Sequence, residues 1–539
     1  MSLETLPEVL LHPQKHDGRV WKYFIPVLVL AFAVRAALAL YTDSILHADE
    51  IFQYLEQGHR LAFGNGVVPW EHFYGVRSLM LPWLIAGTLL LFDGLGLGSP
   101  FWYIGGVKLL FCAISLLIPS GMYFFARRHF GETTGRISLV AGAFWYELAG
   151  FAHKPLAEFV TTALLLVALA LRIRPMPDKP RGEIWLAVFL LVMVTALRIQ
   201  YAPVAFILLS LFFLHTEKKT QFALAAVAFV AAVGIFDAVS WNSGFFHSYT
   251  NYLRYHQAWQ GLDVAHHPLY QHLIWLALAS MGLGLLTVAL SLRDVRRYGF
   301  LLGLILVTLL VHSIPDHKEY RYIFLVVPLI LMIGADVLAQ FATRTSKPRW
   351  LLGSATVIFT MVSLGGILEI LPYQSRIYLP FSGHGGWTIG FIRERLFYEA
   401  SHFEAYRYLA EAPGVAGVWQ VDRDYVGMPS YYYLHRKVPL YNHQAGAEIV
   451  NDNLETLQAA VSHIVVQQDI DPPSGYTLDR KFGNTRIYRR DANQPPIRQW
   501  QHYTPVWGSG NAKVMVKANP DMPPFPDRWG IRFADENLP

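Results

Sequence analysis

The sequence predicts a polytopic α-helical membrane protein followed by a small α/β domain. Three observations carry that expectation. Apolar residues fill 53% of the 539 positions and charged residues only 15%, giving a mean hydropathy of +0.31. Apolar runs of about 15 to 25 residues, long enough to cross a bilayer as helix, recur over the first two thirds of the chain. Basic residues gather in every second loop between those runs.

Taken in order, spans are expected over residues 23–42, 101–126, 136–152, 156–173, 183–199, 201–215, 220–240, 271–292, 298–314, 320–341 and 350–371. The alternate loops then hold Arg127-Arg128 with Arg136, Arg172 and Arg174 with Lys179 and Arg181, and Lys218-Lys219. They also hold Arg293 with Arg296-Arg297, and Arg344 with Lys347 and Arg349. Positive loops stay in the cytoplasm, so about eleven spans leave the N-terminus inside and the C-terminus outside. The segment Ser78 to Phe92 is apolar but short, and counting it as a span would invert every later basic cluster. Residues 43–100 are therefore expected to form one outer loop with helices lying on the membrane. A second outer loop is expected at 241–271.

The domain plan that follows is a cytoplasmic tail at 1–22, a transmembrane domain at 23–372 and an extracytoplasmic α/β domain at 373–539. In that last region a helix is expected at Ser401 to Glu411 and another at Glu448 to Val461. Strands are expected at Val415 to Val421, Tyr431 to Tyr441 and Ile464 to Gln468. The tail after Asn493, rich in Pro and Trp, is expected to wrap on a surface. Cys112 is the only cysteine, which excludes an internal disulfide. The net charge of +5 is spread over short loops and gives no nucleic-acid signal.

With this topology the unusual polar residues fall on the outer side. The segment His47-Ala48-Asp49-Glu50-Ile51-Phe52-Gln53-Tyr54-Leu55-Glu56 follows the first span where a chain leaving the bilayer meets water. Adjacent carboxylates at such a boundary are costly to desolvate. Two readings fit Asp49 and Glu50: a pair of catalytic acids, or an N-cap with a first-turn acid on an interfacial helix. His59, Trp70, Glu71 and Arg77 follow in the same loop. His47, Asp49 and His59 match no strong metal-ligand spacing, so no metal site or cofactor is expected.

Near residue 315 the run Pro315-Asp316-His317-Lys318-Glu319-Tyr320-Arg321 opens a span. If it starts a helix, Lys318 and Arg321 share one face and can clamp phosphate at the helix N-terminus. The other reading is a snorkelling interfacial pair. Arg35, Lys108, Glu147 and Asp237 lie within spans and are expected to pair in the bundle interior.

These residues resemble a known family. Asp49 to Glu56, then His59, Gly64, Gly66, Trp70-Glu71 and Arg77-Ser78, resemble the first luminal loop of glycosyltransferase family 22, the GT-C mannosyltransferases of GPI-anchor and N-glycan precursor assembly. His153-Lys154-Pro155-Leu156-Ala157-Glu158, Leu197-Arg198, Asp237 through Asn251-Tyr252-Leu253, and His266-His267-Pro268-Leu269-Tyr270 resemble its later loops in order. His317-Lys318-Glu319-Tyr320-Arg321-Tyr322 is similar to its His-Lys-Glu-x-Arg-Phe signature. Ile199 and Lys154 depart from the usual Pro and Arg.

The resemblance implies a GT-C fold and an inverting transfer of mannose from polyprenyl-phosphate-mannose to a glycan or glycolipid acceptor. On that reading Asp49 is the base, helped by Glu50. Arg198, His317, Lys318 and Arg321 hold the donor phosphate. His47, Gln53, Tyr54, Glu56, Trp70, Glu71 and Arg77 contact sugar or acceptor. A bacterial inner membrane with periplasmic chemistry is the expected setting. Two alternatives stand beside it: another lipid-linked sugar as donor, or a transporter for a lipid-linked glycan. A transporter would place its charges along a midplane path in a repeated architecture. Here they cluster at one interface, and no repeat is visible.

Overall fold

The computed structural model describes residues 21–41, 45, 49–171, 181–258, 267–315, 318–368, 401–421, 429–438, 440–443, 461–467, 474–491 and 506–507. The chain forms two compact units, each assembled from pieces far apart in sequence.

The first unit combines Met1–Ala39, Leu109–Ile235 and Gly261–Glu394. Each expected span contains helix. Among the described residues five stretches are long and apolar enough to cross a membrane: Trp21–Tyr41, Pro100–Phe130, Lys219–Ser240, Leu283–Ser313 and Val326–Arg344. Some of these include segments of the second unit.

Several spans are interrupted, each for a local reason. Helix Pro100–Ser115 gives way to Leu117–Phe130 just before Pro119, which cannot donate to the Ser115 carbonyl. Helix Glu132–Phe144 stops at Trp145, whose backbone is extended, and a short turn Tyr146–Gly150 follows. The expected span 271–292 splits into Gln271–Ala279 and Leu283–Ser291. Gly282 adopts a φ of 78° there, and its N–H reaches back to the Ala277 carbonyl at 2.6 Å.

Charges inside this unit are satisfied by geometry rather than exposed. Arg35 is fully buried and donates to the Ala143 carbonyl at 2.7 Å and the Gly142 carbonyl at 3.0 Å. These are among the last carbonyls of helix Glu132–Phe144, which have no partner within the helix. Asp336 accepts from Arg297 Nε at 2.6 Å, Tyr298 Oη at 2.8 Å, Gln340 Nε2 at 2.9 Å and Thr134 Oγ1 at 2.9 Å. That one carboxylate links residues of the helices Glu132–Phe144, Val295–Ser313 and Val326–Arg344.

The second unit combines Leu40–Lys108, Phe236–Gln260 and Arg395–Pro539. Its first described element is a π-helical turn, Glu50–Leu55, which runs into the α-helix Glu56–Phe63. Gly64, in the left-handed region at φ 76°, ends that helix. The short apolar segment expected on the membrane is a helix, Met80–Gly94, of 15 residues. At 1.5 Å per residue it is about 22 Å long, short of the roughly 30 Å hydrocarbon core.

The C-terminal part holds a five-stranded sheet. Strands β2 (Val418–Val421), β3 (Leu440–His443) and β4 (His463–Val466) are joined by β5 (Tyr476–Phe482) and β6 (Thr485–Arg490) in the order β3-β2-β4-β6-β5. The first three pair parallel and β6 and β5 antiparallel. Helix Ser401–Glu411 lies at the expected position. The strand expected over Tyr431 to Tyr441 is instead a helical turn, Ser430–Leu434, followed by β3. Tyr431, Tyr432 and Tyr433 are all buried, so the period-2 face that suits a strand has no meaning there. The β5–β6 hairpin was not expected, although Gly483-Asn484 is a two-residue turn signal between strand-like runs. Val506–Trp507, in the Pro/Trp-rich tail, forms a strand (β7) paired in parallel with β1, Val68–Pro69. The helix expected at Glu448 to Val461 lies outside the described residues except at its last position.

Glu56 ties these pieces together. Its carboxylate is fully buried and accepts four donors: Val67 N at 2.6 Å, Ser430 Oγ at 2.6 Å, Tyr432 N at 2.8 Å and Tyr431 N at 3.2 Å. Three come from the start of the turn Ser430–Leu434, whose amides lack helical partners. Burial outweighs these bonds and pushes the Glu56 carboxyl up to about 7 from its ordinary 4.5. Because the folded value is the higher one, the linked stability is intact below pH 4.5 and is lost as pH climbs through 7. A shift of that size corresponds to about 3 kcal/mol. The melting temperature in detergent should therefore fall between pH 5 and pH 8, and Glu56→Gln should flatten that dependence. An unchanged slope in the variant would assign the effect to another group.

Candidate active site

Two clusters of polar residues stand out, one within each unit. In the second unit, Asp49 and the π-helical turn behind it define the first. Asp49 already has helical backbone angles, φ −59° and ψ −30°, and its side chain makes no capping bond. An N-cap has an extended backbone and an accepting side chain, so the capping reading does not describe Asp49. Asp49 is half-buried, whereas Glu50, Gln53, Tyr54, Glu56, Gln57, His59 and Arg60 behind it are buried. A π-turn is rare and recurs at functional sites because it rotates side chains out of α-helical register. Gln57 steadies it, donating to the Phe52 carbonyl at 2.9 Å and the Val67 carbonyl at 2.8 Å.

Gln53 donates to Glu71 Oε1 at 2.7 Å, and Arg77 lies 3.9 Å from the same oxygen. Burial first, and then the Asp49 carboxylate, push Glu71 up to about 7. His72 is fully buried and its Nε2 meets the Gln53 carbonyl at 3.1 Å, while its ring stacks on Trp241. Burial holds it at about 3, so it is neutral at physiological pH. The segment carrying Trp241 is fixed by Asp237, which accepts from Ser248 N at 2.8 Å and Ser248 Oγ at 2.6 Å. Asn251 in turn donates to the Tyr74 carbonyl at 3.2 Å.

Glu56 was expected to touch sugar. The structure corrects this: its four donors are all protein groups, and it is a structural pin. His59 likewise sits in packing, with Nδ1 2.9 Å from the Asn65 carbonyl and Nε2 3.0 Å from His435 Nδ1. His47, His317 and the Trp70 side chain lie outside the described residues.

In the first unit, Arg198, Lys318 and Arg321 form the second cluster. Glu158 is buried between two of them, 2.9 Å from Arg198 Nη2 and 3.6 Å from Arg321 Nε. Arg321 also bonds Glu319 at 2.5 Å, and Tyr322 Oη donates to the other Glu319 oxygen at 3.0 Å. Both guanidinium groups lie over the Tyr322 ring, at 5.1 Å and 5.5 Å. Lys318 donates to the His267 carbonyl at 2.9 Å and the Pro315 carbonyl at 2.6 Å.

The expected helix start at this position is absent. Glu319 is extended, Tyr320–Ile323 is a 3₁₀ turn, and the α-helix begins only at Val326. Lys318 and Arg321 therefore do not share a helix face, and the helix-dipole argument falls away. The snorkelling reading fails as well, because a snorkelling head group reaches water while Lys318 is 2% and Arg321 6% exposed. Lys318 is held by the His267 and Pro315 carbonyls, and Arg321 by neighbours that the sequence reading left out of the site: Glu158, Glu319 and Tyr322. Among the described residues, three cations stand against two carboxylates here, a balance that suits an anion. Among the described residues no group of three or more His, Cys, Asp or Glu is placed to hold a metal ion.

The Alg9-like mannosyltransferase family model matches residues 26–379. The chain belongs to that family, and it is an integral membrane protein of the GT-C fold. Among known proteins, it is similar to GPI mannosyltransferase 3 of Yarrowia lipolytica, 26% identical over 67% of this chain and 72% of that one. It is also similar to the Bos taurus GPI alpha-1,2-mannosyltransferase 3, 24% identical over 60% of this chain and 61% of that one. Among solved structures, ArnT from Cupriavidus metallidurans bound to undecaprenyl phosphate superposes with a TM-score of 0.55 at 14% identity, covering 88% of this chain and 99% of that one. Fold and family together define a membrane mannosyltransferase.

Replacing Glu158 by Gln removes the carboxylate shared by two buried guanidinium groups. Breaking such a buried pair costs about 3–5 kcal/mol. Glu158→Gln should lower the melting temperature in detergent clearly more than Glu319→Gln, whose partner Arg321 retains Glu158. Equal losses would show that the two carboxylates carry the cluster alike.

Proposed function

We propose that the protein transfers mannose from polyprenyl-phosphate-mannose to a glycan or glycolipid acceptor, with inversion, giving an α-mannoside. The observation that carries this reading is Asp49: a half-buried carboxylate in helical, uncapped geometry at the head of a buried π-turn, in a chain of a mannosyltransferase family. The relatives named for GPI mannose transfer support a glycolipid as acceptor.

The chemistry asks for two things. The acceptor hydroxyl must lose its proton as its oxygen attacks the anomeric carbon, and Asp49 is the base. The bond from that carbon to the phosphate oxygen breaks with its electron pair, so the departing lipid phosphate needs positive charge, supplied by Arg198, Lys318 and Arg321. A polyprenyl phosphate is a stable anion, so no strong general acid is required. Glu50 orients Asp49. Gln53 and Arg77 act through Glu71, and Tyr54 lines the same turn.

The outer, extracytoplasmic face is proposed for the reaction, with the N-terminus inside and the C-terminus outside. A C-terminal reporter active only in the cytoplasm should be silent. A bright one would invert the assignment.

Purified protein given labelled polyprenyl-phosphate-mannose and a membrane lipid extract should make a labelled, mannosylated lipid. Transfer only from another lipid-linked sugar would replace mannose in this reading, and movement of donor without transfer would replace the enzyme by a transporter. Asp49→Asn should cut turnover by about 10²- to 10⁴-fold while leaving folding and donor binding in place. Lys318→Ala and Arg321→Ala should each weaken donor use by roughly 1.5–3 kcal/mol, with acceptor dependence little changed.

A further inference from the structure

Lys318 and Arg321 stand on backbone that neither α-helix nor sheet holds in place. Glu319 between them is extended, and Tyr320–Ile323 is a single 3₁₀ turn. Two cations on such a stretch meet a phosphate in a fixed geometry only if neighbouring elements hold the chain beneath them.

His272 is placed to do so. It is fully buried in the first turn of helix Gln271–Ala279. Its Nδ1 lies 2.9 Å from Ser313 Oγ, and its Nε2 lies 3.3 Å from the Glu319 carbonyl oxygen. A carbonyl only accepts, so Nε2 carries the hydrogen, and in the neutral ring Nδ1 accepts from the Ser313 hydroxyl. One imidazole thus joins the last residue of helix Val295–Ser313 to the residue just before the 3₁₀ turn. The Trp275 ring, 5.5 Å away and edge-on, packs against it. The chain just ahead of His272 grips the same stretch, because the His267 carbonyl receives Lys318 Nζ at 2.9 Å.

We propose that His272 is a positioning residue of the donor-phosphate site: a neutral clip that holds the Glu319 carbonyl and so sets where Lys318 and Arg321 present their charge. This rests on those cations receiving the donor phosphate.

Glu319 is the link. Its carbonyl is held by His272, while its carboxylate takes Arg321 Nε at 2.5 Å and Tyr322 Oη at 3.0 Å. The Tyr322 ring in turn lies under the guanidinium groups of both Arg198 and Arg321. A shift at Glu319 is therefore passed to Arg321 directly and to Arg198 through Tyr322. Guanidinium recognition of phosphate is planar and directional, so a small displacement costs affinity. Tyr201, fully buried, holds the far side by donating to the Tyr322 carbonyl at 2.9 Å. Histidine suits the task because one rigid ring offers a donor and an acceptor together without adding charge. A lysine or arginine could reach the carbonyl, but it would compete for the carboxylates that orient the arginines and would offer nothing to the Ser313 hydroxyl.

The test reads donor dependence with labelled polyprenyl-phosphate-mannose and the lipid extract, together with inhibition by unlabelled polyprenyl phosphate. His272→Ala should raise donor KM about 10-fold and weaken that inhibition in parallel, with acceptor KM little changed. His272→Gln places an amide N–H where Nε2–H stood and should recover most of the loss. His272→Asn reaches Ser313 but not Glu319 and should not recover it. Where the alanine variant fails to fold, as a melting curve in detergent shows, the difference between Gln and Asn decides. If His272→Ala melts lower yet keeps donor KM and inhibition, or if Gln and Asn behave alike, His272 serves packing only and the proposal is wrong. If Lys318→Ala and Arg321→Ala both leave donor dependence unchanged, those cations do not hold the phosphate and the underlying reading fails, whatever His272 does.

Discussion

A single buried carboxylate, Glu56, decides how the second unit is assembled. It stands at the junction between the π-helical turn and the α-helix that follows, and its partners are Val67 and the turn Ser430–Leu434, some 370 residues on. Leaving any of those donors without an acceptor inside the protein costs about 1–3 kcal/mol, so the contact is all or none. The position of Asp49, seven residues before Glu56, is thus set by chain from the C-terminal region as much as by its own loop. The Tyr103 hydroxyl bonding the Tyr432 carbonyl and the His59–His435 pair add to the same contact.

The first unit follows a related rule with other groups. Its buried and half-buried cations are placed where backbone carbonyls or carboxylates already wait. Arg35 takes the end of a helix, Arg297 meets Asp336, and Arg198 and Arg321 divide Glu158. A buried ion pair contributes little net stability against an apolar replacement, but it penalises every arrangement that separates the partners. That penalty keeps planar guanidinium groups stacked on Tyr322 and oriented, which suits them to a phosphate better than a mobile surface lysine would be.

Much of this was legible beforehand, and the exceptions share a cause. Helix appears in each expected span because a run of apolar side chains has one outcome in a bilayer, helix. The helix Ser401–Glu411 appears because its apolar period is local. The turn Ser430–Leu434 did not, since three consecutive tyrosines look like a strand until Glu56 arrives to cap them. The helix start near Pro315 failed for the same kind of reason: Lys318 is drawn to the carbonyls of His267 and Pro315, and Glu319 to Arg321 and Tyr322, which keeps the backbone extended. Glu158 was visible as an acid in an outer turn, but nothing local said that two arginines, 40 and 163 residues further on, would meet it.

By itself the sequence determined the class of protein, the apolar helical runs, the family and the identity of the charged residues on which chemistry can rest. These depend on composition, periodicity and short motifs, which are properties of neighbours in the chain. Only the tertiary structure decided what each polar residue does. It turned Glu56 from a sugar contact into a pin, ruled out a cap for Asp49, joined Glu71 to Gln53, and took Lys318 and Arg321 off a shared helix face. The physical reason is that the work of a buried charge is defined by its partners, and here most of those partners lie far away in sequence.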